Sequence, residues 1–382
     1  MIRGERREER ERGVTGRRIL MTADAVGGVW TYALELARGL AQQGDEVVLA
    51  TMGALPSPAQ VAEANAASLL ALETSDFRLE WMQDCWPDVD RAGAWLLELE
   101  RRYRPDVVHL NGYAHAALPW FAPTIVVAHS CVPSWWRAVK GEEAGPEWAE
   151  YRTRVRAGLD AAACVVAPTA AMQEALLREH GPISSARVIP NGRDPGRFRP
   201  APKEPFVLTA GRVWDEAKNI GALCKAASGL PWPVLVAGEP CHPDHGGATG
   251  AEGGMPLGLL SGSEMACTLS RAALYVLPAR YEPFGLSALE AGLCGCALVL
   301  GDIPSLREVW GDAALFAPPD DVSALHEALR RLICDETLRA RVAARCRARA
   351  LRFDADAMVT RYSELYTELL SAACDRTPVG VA

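Results

Sequence analysis

The sequence predicts an α/β protein made of two doubly wound domains that face a central cleft. Two observations lead to this prediction. Short apolar segments alternate with amphipathic helical segments, which is typical of parallel strands buried on both faces. The alternation stops at a stretch rich in proline and charge, residues 197–205, and then starts again. This stretch is therefore interpreted as a linker between the two domains.

The first half of the chain contains five predicted strands. Residues 18–22 are short and apolar, and they are followed by the turn Gly27-Gly28. Apolar residues then recur at helical spacing over residues 31–40, and Gly44 ends this helix. The four remaining strands of this half are predicted at residues 47–50, 107–110, 124–128 and 164–167.

The second half repeats the pattern after the linker. Its four strands are predicted at residues 206–209, 233–237, 274–277 and 297–300. Residues 320–370 are mostly helical by periodicity, and the segment 242–254 is a polar, glycine-rich loop to which no role is assigned. Ligands of open α/β sheets bind beyond the carboxyl ends of the strands. The chemistry is therefore expected in the loops that follow them.

Composition narrows the function classes. The chain has 382 residues, of which 49% are hydrophobic and 23% charged, and this excludes a disordered, collagen-like or coiled-coil protein. The net charge of −8 argues against binding nucleic acid through its phosphates. No apolar run approaches the roughly 20 residues of a membrane span. Residues 1–17 are rich in Arg and Glu and are expected to be a disordered leader, with weak attachment to anionic lipid as the alternative.

The cysteines indicate a reducing compartment. There are 11, an odd number, and no pair has the C-x-x-C spacing of a redox or zinc motif. Most are therefore expected to be small buried apolar residues. We predict a cytoplasmic location on this basis.

Two loops at strand ends contain groups suited to phosphate. Gly27 and Gly28 precede a helix, where backbone N–H groups and the helix dipole favour an anion, although an ordinary tight turn is the alternative. Arg212 and Lys218 follow the strand 206–209, where a guanidinium fork and a mobile ammonium would clamp a diphosphate. The alternative for this pair is two solvated surface cations.

Two carboxylates flank the start of a helix in the second half. Pro283 holds Glu282 in extended backbone, in the loop after the strand 274–277. The helix is expected to start within residues 285–287, so that Glu290 lies about one turn inside it. Sugar hydroxyls can donate to such carboxylates while the helix end holds a phosphate. The backbone N–H groups expected to be free and to point into the cleft are those of Phe284, Gly285 and Leu286.

Aromatic groups and a histidine follow a strand of the first half. His129 comes directly after the strand 124–128 and is expected to face the same cleft from the opposite wall, although a structural histidine is an equal alternative. Trp135 and Trp136 follow shortly afterwards. Core packing is the default for tryptophan, and stacking on an acceptor is the alternative.

In order along the chain, these motifs resemble the family-4 retaining glycosyltransferases, which have the GT-B architecture of two Rossmann-like domains. The resemblance covers nearly the whole chain, residues 18–370. Its most specific mark is the Glu-x7-Glu motif from Glu282 to Glu290. The other marks are Gly27-Gly28, Val188 to Gly192, Gly211-Arg212 with Lys218, Leu257 to Ser261, and Gly311 to Ala314 with Pro318.

The resemblance implies how a nucleotide sugar would be bound. Arg212 and Lys218 would hold its diphosphate, and Glu290 its ribose hydroxyls. Glu282 and the backbone at residues 284–286 would hold the donor sugar. The full set of implied donor contacts is Gly27, Gly28, Arg212, Lys218, Leu259, Leu260, Glu282, Phe284, Gly285, Leu286 and Glu290.

Further roles follow from the same resemblance. Gly28 would touch the phosphate from the first domain, His129 would lie near the anomeric carbon, and the backbone of Leu259 and Leu260 would meet the nucleobase. Trp135 and Trp136 are weaker candidates for the acceptor. The implied catalytic residues are Glu282, His129, Arg212 and Lys218.

The resemblance also divides the chain by role. Residues 18–197 would form the acceptor domain and residues 203–350 the donor domain. A last helix at about 354–374 would cross back to pack on the first domain. The linker would let the two halves close on the donor.

The implied reaction is retaining transfer of a hexose from a nucleotide-diphosphate sugar to an unidentified hydroxyl of a sugar, lipid or small molecule. A UDP-sugar is favoured by family frequency, and a GDP-sugar stays open. No Asp-x-Asp metal motif follows a strand, so we expect no metal and no cofactor, with cations stabilising the leaving group. The alternatives are a nucleotide-sugar epimerase on the same fold and a non-catalytic nucleotide-sugar-binding protein.

Overall fold

The computed structural model describes residues 16–25, 27–238 and 253–375. They form two parallel sheets, each with helices on both faces, which confirms the predicted pair of doubly wound α/β domains. The strand of residues 18–24 shows why the residues 19–21 are all apolar. Ile19 and Met21 pack into the core on one face of the sheet, and Leu20 packs into the core on the other.

The first sheet has seven strands. They are β1 Arg18–Asp24, β2 Glu46–Met52, β3 Ala71–Thr74, β4 Val107–Leu110, β5 Thr124–Val127, β6 Cys164–Ala167 and β7 Ala186–Val188. Their order is β3-β2-β1-β4-β5-β6-β7, and every pair is parallel. The helices are α1 Gly28–Gln42, α2 Pro58–Asn65, α3 Trp86–Tyr103, α4 Val132–Lys140, α5 Ala149–Ala161 and α6 Ala170–His180.

The second sheet has six strands. They are β8 Glu204–Ala210, β9 Val234–Ala237, β10 Met255–Gly258, β11 Ala272–Leu277, β12 Ala297–Gly301 and β13 Leu315–Ala317. Their order is β10-β9-β8-β11-β12-β13, again all parallel. The helices are α7 Ile220–Ala226, α8 Gly262–Arg271, α9 Leu286–Leu293, α10 Pro304–Trp310, α11 Val322–Cys334, α12 Glu336–Ala350 and α13 Ala355–Asp375.

The strand orders locate the functional region. The direction of chain progression reverses between β1 and β4 in the first sheet and between β8 and β11 in the second. Open α/β sheets bind ligands at such switch points, because the loops after the two central strands diverge there. The Gly27-Gly28 turn follows β1, and the loop with Arg212 and Lys218 follows β8.

The last helix returns to the first domain. Val359, Tyr362 and Tyr366 of α13 are buried in the same core as α1. A Cβ atom at Gly39 of α1 would lie 2.2 Å from Val359 Cγ2, so glycine is required for this approach. The backbone N–H of Arg193, just before the linker, donates to the carbonyl of Phe353 at 3.1 Å. The chain therefore crosses between the domains twice at neighbouring points.

Several other contacts between the domains are polar, beside the apolar packing of Leu286 and Tyr281 on the first domain. The hydroxyl of Thr169 donates to the carbonyl of Pro283 at 2.9 Å. Glu308 of α10 accepts from the first two N–H groups of α6, at 2.8 and 2.9 Å. Lys140 of α4 pairs with Glu216 at 2.7 Å. These contacts join the part of the first domain that follows β5 and β6 to the second domain.

The leader boundary needs a correction. Arg17 was predicted to be disordered, but its guanidinium pairs with the buried carboxylate of Asp45 at 2.6 Å and lies over the Tyr366 ring. It therefore belongs to the first domain. Residues 1–15 of the leader and residues 242–252 of the predicted loop lie outside the described residues. Within the described ranges, no helix is long and apolar enough to cross a bilayer.

Candidate active site

The start of α9 forms around Glu282. Gly285 precedes the helix with a φ of +91°, a conformation that L side chains rarely adopt. Glu282 Oε1 accepts from the backbone N–H of Gly285 at 3.0 Å and of Phe284 at 3.4 Å. The prediction that these two N–H groups are free is therefore wrong. The Glu282 carboxylate satisfies them, and its negative charge is favourable at the positive end of the helix dipole.

Lys218 completes this arrangement from the β8 loop. Its Nζ lies 2.5 Å from Glu282 Oε2, and the two side chains are only 17% and 13% exposed. The next residue, Asn219, has a left-handed backbone, and its side-chain amide donates to the carbonyls of Pro278 and Pro319. Asn219 thus fixes the loop that positions Lys218. Neither residue of the pair is the solvated surface group of the alternative interpretation.

Arg212 lies in the same loop and is linked to the first domain. Its Nη2 pairs with Asp215 Oδ2 at 2.8 Å, and Asp215 Oδ1 accepts from Trp135 Nε1 of α4 at 3.2 Å. Burial opposes ionisation of Asp215, but the charges of Arg212 and Lys218 hold its pKa below the usual value. Trp135 and Trp136 contact each other edge to face, with ring centroids 6.1 Å apart. Trp135 therefore has a cross-domain partner that the sequence did not reveal.

Glu290 lies in a buried cluster of charges. Arg193 Nε is 2.9 Å from Glu290 Oε1, and an Nη of the same guanidinium contacts Glu35 of α1. Burial raises the pKa of the Glu290 carboxyl, and the Arg193 charge opposes this rise. Through Arg193, Glu290 is therefore connected with Glu35 of the first domain. Arg193 and Glu35 were missed, because neither position belongs to a strand end or a helix start.

His129 is fixed by its neighbours in the first domain. Its Nε2 lies 2.8 Å from Asn111 Oδ1, and its ring packs edge to face on Tyr32 with centroids 4.5 Å apart. Burial lowers the pKa of His129 to about 3, so the imidazole is neutral at physiological pH. The backbone N–H of Cys131, two residues later, donates to the Tyr281 hydroxyl at 3.1 Å. This contact brings the His129 loop next to the residue preceding Glu282.

The remaining predicted contacts flank this centre. The nearest described atom to a Cβ built on Gly28 would be Leu286 Cδ1 of the second domain, at 3.6 Å. Gly27 precedes α1 with a φ of +94°. Leu259 is 75% exposed, and Leu260 packs on the core of the second domain. The structure thus brings Gly28, Lys218, Glu282 and the start of α9 to one region between the sheets.

A separate cavity of about 470 Å³ lies beside the Arg212 loop. It is lined only by the second domain, by residues that include Trp214, Asn219, Lys225 and Arg280. It is therefore distinct from the region between the two sheets. Among the described residues, no cluster of three or more His, Cys, Asp or Glu side chains could hold a metal ion.

Comparison with known proteins decides the family. The model described as Glycosyltransferase Family 4 matches residues 26–197, and the model described as Glycosyl transferases group 1 matches residues 255–349. Together the two matches cover most of the chain, one in each domain. The chain belongs to the family-4 glycosyltransferases. The predicted family and GT-B fold are thereby confirmed, and the protein is an enzyme of the transferase class.

Several full-length relatives of this glycosyltransferase are known. It is 28% identical to the glycogen synthase of Mycobacterium tuberculosis, over 89% of this chain and 91% of the relative. It is 27% identical to the D-inositol 3-phosphate glycosyltransferase of Xylanimonas cellulosilytica, over 91% and 93% of the two chains. These relatives carry different names, so the comparison leaves donor and acceptor open.

Solved structures share the fold. Sucrose-phosphate synthase of Thermosynechococcus elongatus superposes with a TM-score of 0.77 at 19% identity, covering 93% of this chain and all of that chain. HepE of Anabaena, in complex with UDP-glucose, superposes with a TM-score of 0.72 at 16% identity, covering 92% and 100% of the two chains. At such identities the likeness concerns the fold alone.

Proposed function

We propose that this glycosyltransferase moves a hexose, with retention of anomeric configuration, from a nucleotide-diphosphate sugar to an acceptor hydroxyl. The observation that supports this most is the convergence of Lys218, Glu282 and the start of α9 opposite Gly28, at the switch points of the two sheets. The Anabaena structure of the same fold contains UDP-glucose. A UDP-sugar is therefore the first donor to test, and a GDP-sugar the second.

The charges of the site suit departure of a diphosphate. Breaking the bond between sugar and phosphate builds negative charge on the leaving oxygen. Arg212 and Lys218 would stabilise that charge, and removal of one such group from comparable sites costs roughly 3–4 kcal/mol. Lys218 can keep one N–H on Glu282 while another binds phosphate, because an ammonium has three donors.

The acceptor hydroxyl would attack from the face that the diphosphate leaves, with a phosphate oxygen taking its proton. His129 would face the donor sugar as a neutral hydrogen-bonding group, because burial keeps it uncharged. Trp135 and Trp136 stay proposed acceptor contacts. The cations would do the work of a divalent ion, and a cytoplasmic location with a nucleotide-sugar partner is part of the same proposal.

The test is a thermal-shift panel of UDP-, GDP- and ADP-sugars, followed by mass analysis of products. We expect one nucleotide to raise the melting temperature and its sugar to appear on an added acceptor. An isomerised nucleotide sugar formed without acceptor would show an epimerase instead. Binding that survives while no substrate is consumed with any sugar, lipid or small-molecule acceptor would show a non-catalytic protein.

A further inference from the structure

A buried guanidinium just before the linker connects the two domains. Arg193 is 6% exposed and lies between two carboxylates, Glu35 of the first domain and Glu290 of the second. The backbone N–H of Asp194 also donates to Glu35 Oε1, at 3.2 Å. Three charged groups are therefore removed from water at the point where the chain passes between the domains.

Stability alone is a weak explanation for such a cluster. Removing ions from water costs several kcal/mol for each ion, and their attraction repays this only with good geometry. The three formal charges sum to −1, and the nearest further cation, Arg197, reaches Glu35 only at 3.8 Å and is 41% exposed. The contacts of the individual carboxylate oxygens are therefore more informative about this cluster than its contribution to stability.

The two carboxylates are engaged differently. Both oxygens of Glu35 have partners, since Oε2 contacts Arg193 and Oε1 accepts from Asp194. Glu290 meets the guanidinium through Oε1, and no described residue donates a hydrogen bond to its Oε2. Its side chain keeps 13% of its surface exposed. Glu290 is thus held at one oxygen and open at the other.

We propose that Arg193 is a positioning residue for the ribose subsite, holding Glu290 so that its open oxygen accepts a hydrogen bond from a ribose hydroxyl. This inference rests on the proposed function, in which Glu290 meets the nucleotide. Arg193 is itself fixed, because its backbone N–H donates to Phe353 at 3.1 Å and its guanidinium lies over the Phe198 ring. Without the guanidinium, the carboxylate would lose both its counter-charge and its fixed rotamer.

The test compares ribonucleotides with deoxyribonucleotides. UDP, GDP and ADP and their 2′-deoxy counterparts are titrated by calorimetry into the wild-type protein, Arg193→Met and Arg193→Lys. For the nucleotide that binds, we expect the wild type to prefer the ribose form by about tenfold or more, as for one hydrogen bond to a charged group. Arg193→Met should bring this ratio close to one, and Arg193→Lys should restore part of it.

A matched control separates positioning from folding. Arg197→Met removes a neighbouring cation that does not contact Glu290, and it should keep the wild-type ratio. A purely structural role of Arg193 would weaken the ribose and deoxyribose forms equally and leave the ratio unchanged, which would overturn the inference. If Arg193→Met does not fold, Arg193→Lys provides the test. A ribose-to-deoxyribose ratio below that of the wild type supports the inference, and an unchanged ratio overturns it.

The outcomes for this inference and for the proposed function differ. If the wild type binds a diphosphate but does not distinguish ribose from deoxyribose, the role of Arg193 is refuted and the glycosyltransferase proposal stands. If no nucleoside diphosphate binds the wild type, the donor site itself is refuted, and this inference with it.

Discussion

Two substitutions in the Lys218–Glu282 ion pair should change diphosphate affinity in opposite directions. The two groups neutralise each other at 2.5 Å, so an incoming diphosphate meets both a partner and a competitor. Lys218→Met removes the partner. Glu282→Gln removes the competing charge, while its amide oxygen can still accept from the N–H of Gly285.

The magnitudes follow from the contacts. A hydrogen bond to a charged group is worth about 1.5–3 kcal/mol, so Lys218→Met should weaken UDP binding by about 10- to 150-fold. A phosphate oxygen bound to the ammonium would lie about 5 Å from the carboxylate, where two unit charges repel by roughly 3 kcal/mol at an effective dielectric constant near 20. Since solvent reaches part of the pair, we expect Glu282→Gln to strengthen UDP binding by about tenfold.

Isothermal titration calorimetry with UDP, which has no sugar, isolates this effect from contacts to the donor hexose. GDP or ADP replaces it if the panel selects another base. The control is Arg330→Met, which breaks a surface pair that is 51% exposed on both sides and should leave the affinity unchanged. Equal losses in the Lys218 and Glu282 variants would refute the reasoning, because they would show that the pair is needed only as a structural unit.

Three further predictions concern the contact between the domains, the packing of the last helix and two buried histidines. Trp135→Phe removes the hydrogen bond between Trp135 and Asp215, which joins the two domains. The KM for the donor should therefore rise several-fold in steady-state kinetics, while the free energy of unfolding in urea should fall by only about 1 kcal/mol. Gly39→Ala should push the last helix away and lower the free energy of unfolding, measured in urea, by about 1–3 kcal/mol. The control Gly221→Ala, whose added Cβ meets no atom within 4 Å, should leave this free energy unchanged. Burial lowers the pKa of both His109 and His129 to about 3, so the unfolded chain binds more protons below pH 6.5. Stability in urea should therefore fall from pH 6.5 towards 3, by up to about 2.7 kcal/mol per pH unit, and a constant midpoint would contradict this.

The central strands could be predicted from the sequence, and the edge strands could not. β1, β4, β8 and β11 consist mostly of buried apolar residues because helices cover both faces. The four strands absent from the prediction are β3, β7, β10 and β13. They are partly exposed at the sheet edges, so their sequences lack the buried apolar run that marks the predicted strands, some of which are equally short.

The charged side chains of the candidate site could be predicted from the sequence, but the partner with which each of them pairs could not. Loop position after a strand was sufficient to select Arg212, Lys218 and Glu282, because parallel strands end at one edge of a sheet. It could not show that each group already has a partner of opposite charge. The most distant case is Arg193, whose contact with Glu35 joins residues 158 positions apart. Such a pairing depends on how the two domains meet, and no local pattern encodes it.

The polar character of the contacts between the domains bears on how the enzyme would admit its donor. When the domains separate, water can replace most of the hydrogen bonds that Thr169, Glu308 and Lys140 make between them. Separating an apolar interface would instead expose apolar surface to water, which is unfavourable. Dissolved ions screen exposed pairs such as Lys140 with Glu216, since the Debye length is about 8 Å at physiological ionic strength. Raising the ionic strength should thus favour the enzyme with its domains apart over the enzyme with its domains closed. The turnover rate should therefore depend on the salt concentration even when the charge of the nucleotide does not change.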